Sequence, residues 1–127
     1  MHKKANIKFI IVAAVVIICQ GCAATNVTRL GSTAYDPKPL GCNIEVLTVV
    51  PTGKKFEELC LLSARGGQSI FESKSVHGLI PDMKDKACQC GADAIILKDS
   101  KEGGYNFAGS ADRAQASATA VRYLENK

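Results

Sequence analysis

The 127-residue sequence has no Trp, two His, two Met and only seven Phe and Tyr together (four and three). So few aromatic side chains exclude a platform on which nucleobases stack. His2 and His77 alone leave little for imidazole catalysis or a histidine-rich metal centre. Charge of one sign is scarce as well. Lys and Arg number 16 against 12 Asp and Glu, a formal balance of +4. Lys3, Lys4 and Lys8 precede an apolar run, and without them the chain is within one charge of neutrality. That excludes the basic stripe of a dedicated nucleic-acid binder. Length allows one domain. No catalytic constellation is present. Ser63, Ser69 and Ser73 lack a nucleophile elbow, and Gly66-Gly67 and Gly103-Gly104 lack the Lys and Ser/Thr of a phosphate loop. Glu57 and Glu58 are adjacent, so on a strand they point to opposite faces and form no carboxylate pair. Asp93 reads as a local turn or cap, and His77 as an exposed residue at a helix start.

A long hydrophobic run is also missing. The longest, Phe9 to Cys19, falls well short of the ~20 residues that span a bilayer but suits the core of a signal peptide. Gln20-Gly21-Cys22-Ala23 follows. A small residue before Cys, directly after an exported apolar core, resembles the bacterial lipobox. Gly21 and Cys22 match that pattern, while Cys19 and Gln20 depart from it. The resemblance implies that residues 1–21 are removed and that Cys22 carries the acyl chains. Two or more chains, at about 0.8 kcal/mol per buried CH₂, hold a protein firmly on a bilayer. Ala23, where an Asp would retain the protein in the inner membrane, points to the outer membrane, with the inner membrane as the alternative. The residues after Cys22 are rich in Thr, Asn, Gly, Ser and Pro, with Pro37 and Pro39 around Lys38. We expect 22–40 to be a lipidated N-terminus and flexible tether, and 41–127 a small periplasmic domain.

Within that domain Ile44, Val46 and Val50 alternate along a β-branched stretch that ends at Pro51-Thr52-Gly53, a turn signal. Phe56 to Ala64 is a second apolar run, and the pair reads as a hairpin across Pro51–Phe56. Val76, Ile80, Met83, Ala87 and Cys90 recur at helical spacing between Ser75 and Gly91, most firmly over Pro81–Cys90. Pro81 suits a first helical turn, and Gly91 suits the left-handed residue that ends a helix. Ala94-Ile95-Ile96-Leu97 is apolar on both faces and reads as an interior strand. Ala111 to Leu124 fits helix and strand equally by pattern. The expected fold is α+β: a small, mainly antiparallel sheet of three to four strands, with one helix packed on one face.

Tyr35-Asp36-Pro37-Lys38-Pro39, the strand at Ile44-Glu45-Val46, Phe56-Glu57-Glu58-Leu59 and a helix leading into Gly91-Ala92-Asp93-Ala94-Ile95 come in a familiar order. Over Tyr35 to Leu97 the chain resembles the small envelope lipoproteins related to the outer-membrane sensor of the Rcs stress phosphorelay, with a compact α/β domain of YbjQ-like type. The resemblance implies a closing strand over Thr119–Tyr123. The chain departs from it at Lys98-Asp99-Ser100, where the sensor has a Cys, and in its shorter N-terminal segment.

Of six cysteines, Cys19 leaves with the signal and Cys22 takes lipid, which leaves Cys42, Cys60, Cys88 and Cys90. An even number in a small exported domain reads as two disulfides. A Cys88–Cys90 bridge closes a strained ring, so each of these two is expected to join Cys42 or Cys60, in either crossing. The alternative is a soft-metal site of Cys60, Cys88 and Cys90 with His77. The expected function is that of a non-enzymatic, cofactor-free lipoprotein, held on the bilayer through Cys22 and binding another envelope component, expected to be a protein, in stress sensing or envelope assembly, with no nucleic-acid partner. A periplasmic metal-binding lipoprotein is the alternative.

Overall fold

The computed structural model describes residues 24–67, 75–105 and 111–125; Cys19, Cys22 and the expected signal segment lie outside the described residues. Among the described residues the fold is α+β, with one α-helix and a five-stranded mixed sheet. In chain order the elements are β1 (Ala24–Arg29), β2 (Glu45–Leu47), β3 (Phe56–Arg65), a 3₁₀ turn (Val76–Leu79), α1 (Ile80–Gln89), β4 (Ala94–Lys101), β5 (Gly104–Tyr105), β6 (Ala111–Asp112) and β7 (Gln115–Tyr123). The sheet order is β1-β3-β7-β4-β2, with β5 and β6 forming a separate two-stranded ribbon. Neighbours are antiparallel except β2, which runs parallel to β4.

The interior strand and the helix stand where the sequence predicts them. β4 lies between β7 and β2, and Ile95 and Ile96 are both buried, on opposite faces. Ile95 joins the cluster under the helix, with Leu79, Met83, Ala87, Cys60 and Leu62. Ile96 joins a smaller cluster with Ala94 and Val121, flanked by Leu47, Phe56 and Tyr123. α1 begins with Pro in its first turn, and Met83, Ala87 and Cys90 are buried along one stripe. Ser75 caps the preceding 3₁₀ turn by accepting from the Gly78 amide at 3.3 Å. The closing segment is strand. β7 pairs with both β3 and β4, and its Ala116, Ala118 and Ala120 are buried beneath the helix layer.

Three expectations need correction. The sheet has five strands rather than three or four. The fifth, β1, comes from the segment expected to be a tether. Residues 24–29 pair antiparallel with β3 from Ala24↔Arg65 to Arg29↔Cys60, because β3 would otherwise present an open edge of backbone donors and acceptors. Thirdly, β2 and β3 form no hairpin. Both run in the same direction, separated by β7 and β4, and residues 48–55 carry the chain back to the end from which β2 started. The parallel partnership with β4 lets Ile44 and Leu47 pack on the two core clusters.

Two bulges adjust which side chains meet the core. Between Glu58 and Cys60 the β3 register shifts by one, so Leu59 and Cys60 are both buried although they are adjacent. A second shift, between Leu97 and Asp99, puts Lys98 out of register where β4 emerges into solvent. The helix ends in a Schellman motif. The Gly91 amide donates to the Cys88 carbonyl at 2.9 Å and the Ala92 amide to Ala87 at 3.1 Å, with Gly91 at φ +78°.

Three substitutions test this packing. A Cβ on Gly91 would lie 2.9 Å from both the Asp36 carbonyl oxygen and Tyr35 Cβ. Gly91→Ala should therefore cost about 3 kcal/mol, the left-handed penalty plus displacement of backbone. Gly53→Ala has a similar φ, +79°, but open space around it, and should cost only about 1 kcal/mol. Ile96→Asp should abolish cooperative thermal unfolding, since it places an unpaired charge at a site 1 % exposed. Melting curves of the three variants check both outcomes, and equal losses for the two glycines would contradict the close approach at Gly91.

Candidate functional site

The end of the sheet where β3 begins and β7 finishes collects most of the specific polar chemistry. Two disulfides underlie it. Cys42 joins Cys88 and Cys60 joins Cys90, with Cα–Cα distances of 6.0 and 6.5 Å. Both bridges use the last turn of α1, so the helix end is tied to β3 on one side and to the segment leading into β2 on the other. They close separations of 46 and 30 residues. In the loop-entropy account each such closure contributes about 4 kcal/mol. Cys60, Cys88 and Cys90 are buried, and Cys42 is half-buried. The expectation that Cys88 and Cys90 each pair with Cys42 or Cys60 holds, and the crossing it left open is now fixed. Joined in this way, the four sulfurs offer no thiolate to a soft metal. His77 is exposed, and among the described residues no group of three or more His, Cys, Asp or Glu is arranged to hold a metal ion.

Residues 35–42 wrap around the helix end. The Lys38 amide donates to the Cys88 carbonyl at 2.8 Å, and the Lys38 ammonium pairs with Asp93. Asp93, the turn residue before β4, also accepts from the Tyr123 amide at 2.9 Å. It thereby bridges the wrapping segment to β7. Arg122 stacks over the Tyr35 ring, 4.5 Å from its centroid, and donates to the Gly91 carbonyl at 3.2 Å. The Tyr35 hydroxyl donates to Glu57 at 2.6 Å. On the opposite face of the sheet the Tyr123 hydroxyl donates to Glu45 at 2.6 Å, with the Lys54 ammonium 4.6 Å from the ring centroid. Asp93, Arg122, Tyr123, Leu124 and Glu125 line an open cleft of about 640 Å³.

The electrostatics follow from these contacts. Partial burial pushes the Asp93 carboxyl up. The Lys38 hydrogen bond, the Tyr123 amide and the positive charges of Lys38 and Arg122 outweigh it and hold the carboxyl below its ordinary value. The hydrogen bond to Glu45, followed by burial and the negative charges of Glu45 and Asp93, pushes the Tyr123 phenol up to about 12. Tyr35 is raised likewise, first by its bond to Glu57. All three stay in the charge state they carry at neutral pH. The site is a pattern of charge and hydrogen bonding that spans the wrapping segment, the helix end and β7.

The cysteines and the capping role of Asp93 are visible in the sequence; the Arg122–Tyr35 stack and the Tyr123–Glu45 bond are not. They join residues far apart in the chain. The one local hint is Tyr35 within Tyr35-Asp36-Pro37-Lys38-Pro39, where two prolines hold an extended course. Comparison with family models, curated proteins and solved structures returned no match.

Asp93 gives this network a pH signature. Its carboxyl binds a proton less readily in the folded chain than in the unfolded one, so its ionised form adds stability above the ordinary carboxylate range. That contribution is lost as pH falls through the lowered value. Asp93→Asn should melt below wild type at neutral pH, and the gap should close below about pH 4. A gap that persists unchanged to pH 2 would contradict the Lys38–Asp93 pairing.

Proposed function

We propose that the chain is a non-enzymatic, lipid-anchored lipoprotein of the bacterial outer membrane, related to the Rcs-sensor and YbjQ-like lipoproteins it resembles. Its disulfide-stapled periplasmic domain binds another envelope protein. One observation carries the reading: two crossed, mostly buried disulfides in the domain that follows the Gly21-Cys22 lipobox. Disulfides persist in exported compartments and are rare in the cytosol, and small exported domains use them where the core is small. The bilayer holds the protein through acylated Cys22, and no cofactor or nucleic acid is involved.

The stapled end of the sheet suits protein recognition. Tyr35, Arg122 and Tyr123 are the residue types that dominate binding interfaces. Here they are held by bonds to Glu57, Gly91 and Glu45, so little ordering cost remains to be met on association. Leu40 stands 66 % exposed in the stapled segment beside them and offers an apolar contact.

Replacing Cys22 tests the anchor. Cys22→Ala should move the protein from the membrane to the soluble fraction, and the intact mass of the wild-type membrane form should begin at a triacylated Cys22. A mature mass that retains Met1, or an unmodified Cys22, would sink the proposal. Crosslinking in intact envelopes tests the partner: Arg122→Glu should lose the crosslinked species that wild type forms.

A further inference from the structure

We propose that the domain sits directly on a phospholipid leaflet. The sheet end that carries Ala24, Arg65, Gln115 and Lys101 lies against the headgroups, and the Tyr35–Arg122 end faces away. The inference rests on the acylation of Cys22 proposed above, and adds to it the distance and the orientation of the domain.

Chain length sets the distance. Only Ala23 separates Cys22 from the first residue of β1. Two Cα–Cα steps reach at most about 7.5 Å. An acylated Cys22 thus holds Ala24 at headgroup depth, provided that β1 stays in the sheet. It is bound there by a continuous antiparallel ladder from Ala24↔Arg65 to Arg29↔Cys60, which the Leu30 amide extends by donating to the Leu59 carbonyl at 2.8 Å. The Thr25 hydroxyl also donates to Asp82 in the first turn of α1, tying the strand to the helix layer. To act as a tether, 24–29 would have to break that ladder.

Strand direction sets the orientation. Ala24 lies across from Arg65, Arg65 from Gln115, and Gln115 from Lys101, so one end of four strands gathers beside the anchor. Phe56 and Tyr123 pair at the other end, next to Asp93. The ten residues of β3, at about 3.3 Å each, separate the two ends by about 30 Å. The anchored end carries groups that suit a lipid phosphate. Arg65 is exposed opposite Ala24, and its guanidinium can donate two parallel hydrogen bonds to a phosphate. Lys101 is 63 % exposed and only loosely paired with Asp112 at 3.8 Å, so a phosphate can compete for its ammonium. The acyl chains supply the affinity, and these groups need only favour one tilt.

The experiment uses acylated full-length protein, purified from membranes and reconstituted in phosphatidylethanolamine/phosphatidylglycerol vesicles. An azidophenylalanine replaces Gln115 or Glu125 and carries a fluorophore, and the vesicles contain a headgroup quencher. Intact mass is read on the same samples. Fluorescence at position 115 should be largely lost and that at 125 unaffected. A Gly/Ser insertion of about twelve residues between Ala23 and Ala24, with a root-mean-square reach near 20 Å, should restore the signal at 115 while the protein stays on the vesicles. Equal quenching at both positions, or no response to the insertion, overturns the orientation and leaves the anchor intact. An unacylated Cys22 in the mass measurement overturns both.

Discussion

The helix end at Cys88–Cys90 is the point on which the rest of the fold depends. One bridge runs from it to β3 and the other to the segment before β2. The two bridges interleave along the chain, Cys42 to Cys88 and Cys60 to Cys90. Three parts of the chain that share few local contacts are thereby fixed together: the wrapping segment, the helix and a central strand. The Schellman turn at Gly91 makes this possible. It reverses the chain into β4 and brings the helix end within contact of Tyr35 and Asp36.

The polar network uses that fixed geometry. Lys38 meets Asp93 from a wrapping segment that the Cys42 bridge and the Lys38 amide hold to the helix end, and Arg122 meets the Gly91 carbonyl where the helix end is bridged to β3. Charged pairs at this degree of exposure stabilise little on their own. Their value lies in holding a defined arrangement of Tyr, Arg and carboxylate groups at one end of the sheet. Among the described residues fewer such contacts are seen at the opposite end, where β1 begins.

The elements legible in the sequence are those whose burial writes a period. Met83, Ala87 and Cys90 trace the helix stripe, and Ile95 and Ile96 mark a strand buried on both faces. β1 reads as part of a tether from its Thr- and Asn-containing composition, and in the structure nearly all of its residues are exposed. An edge strand of this kind shows no alternation, and its Thr and Asn content looks like linker. β7 was ambiguous for a different reason. Its core positions are Ala116, Ala118 and Ala120, a residue that favours helix in isolation. Tertiary pairing with β3 and β4 overrides that preference. The Pro51-Thr52-Gly53 turn was real, but a turn signal fixes a reversal and not a partner. The parallel pairing of β2 with β4 arises from contacts that no local window contains. In the candidate site the cysteines announced themselves by number and spacing, and Arg122, Tyr123 and Glu45 did not, because their roles come from pairings across the sheet.

Crossed disulfides at the helix end are the central claim, and non-reducing peptide mapping of the protein isolated from cell envelopes tests it most directly. The account predicts linked peptides joining Cys42 to Cys88 and Cys60 to Cys90, with no thiol in the domain open to alkylation before reduction. A Cys42–Cys60 or Cys88–Cys90 linkage, or four alkylated thiols in the native protein, would contradict it.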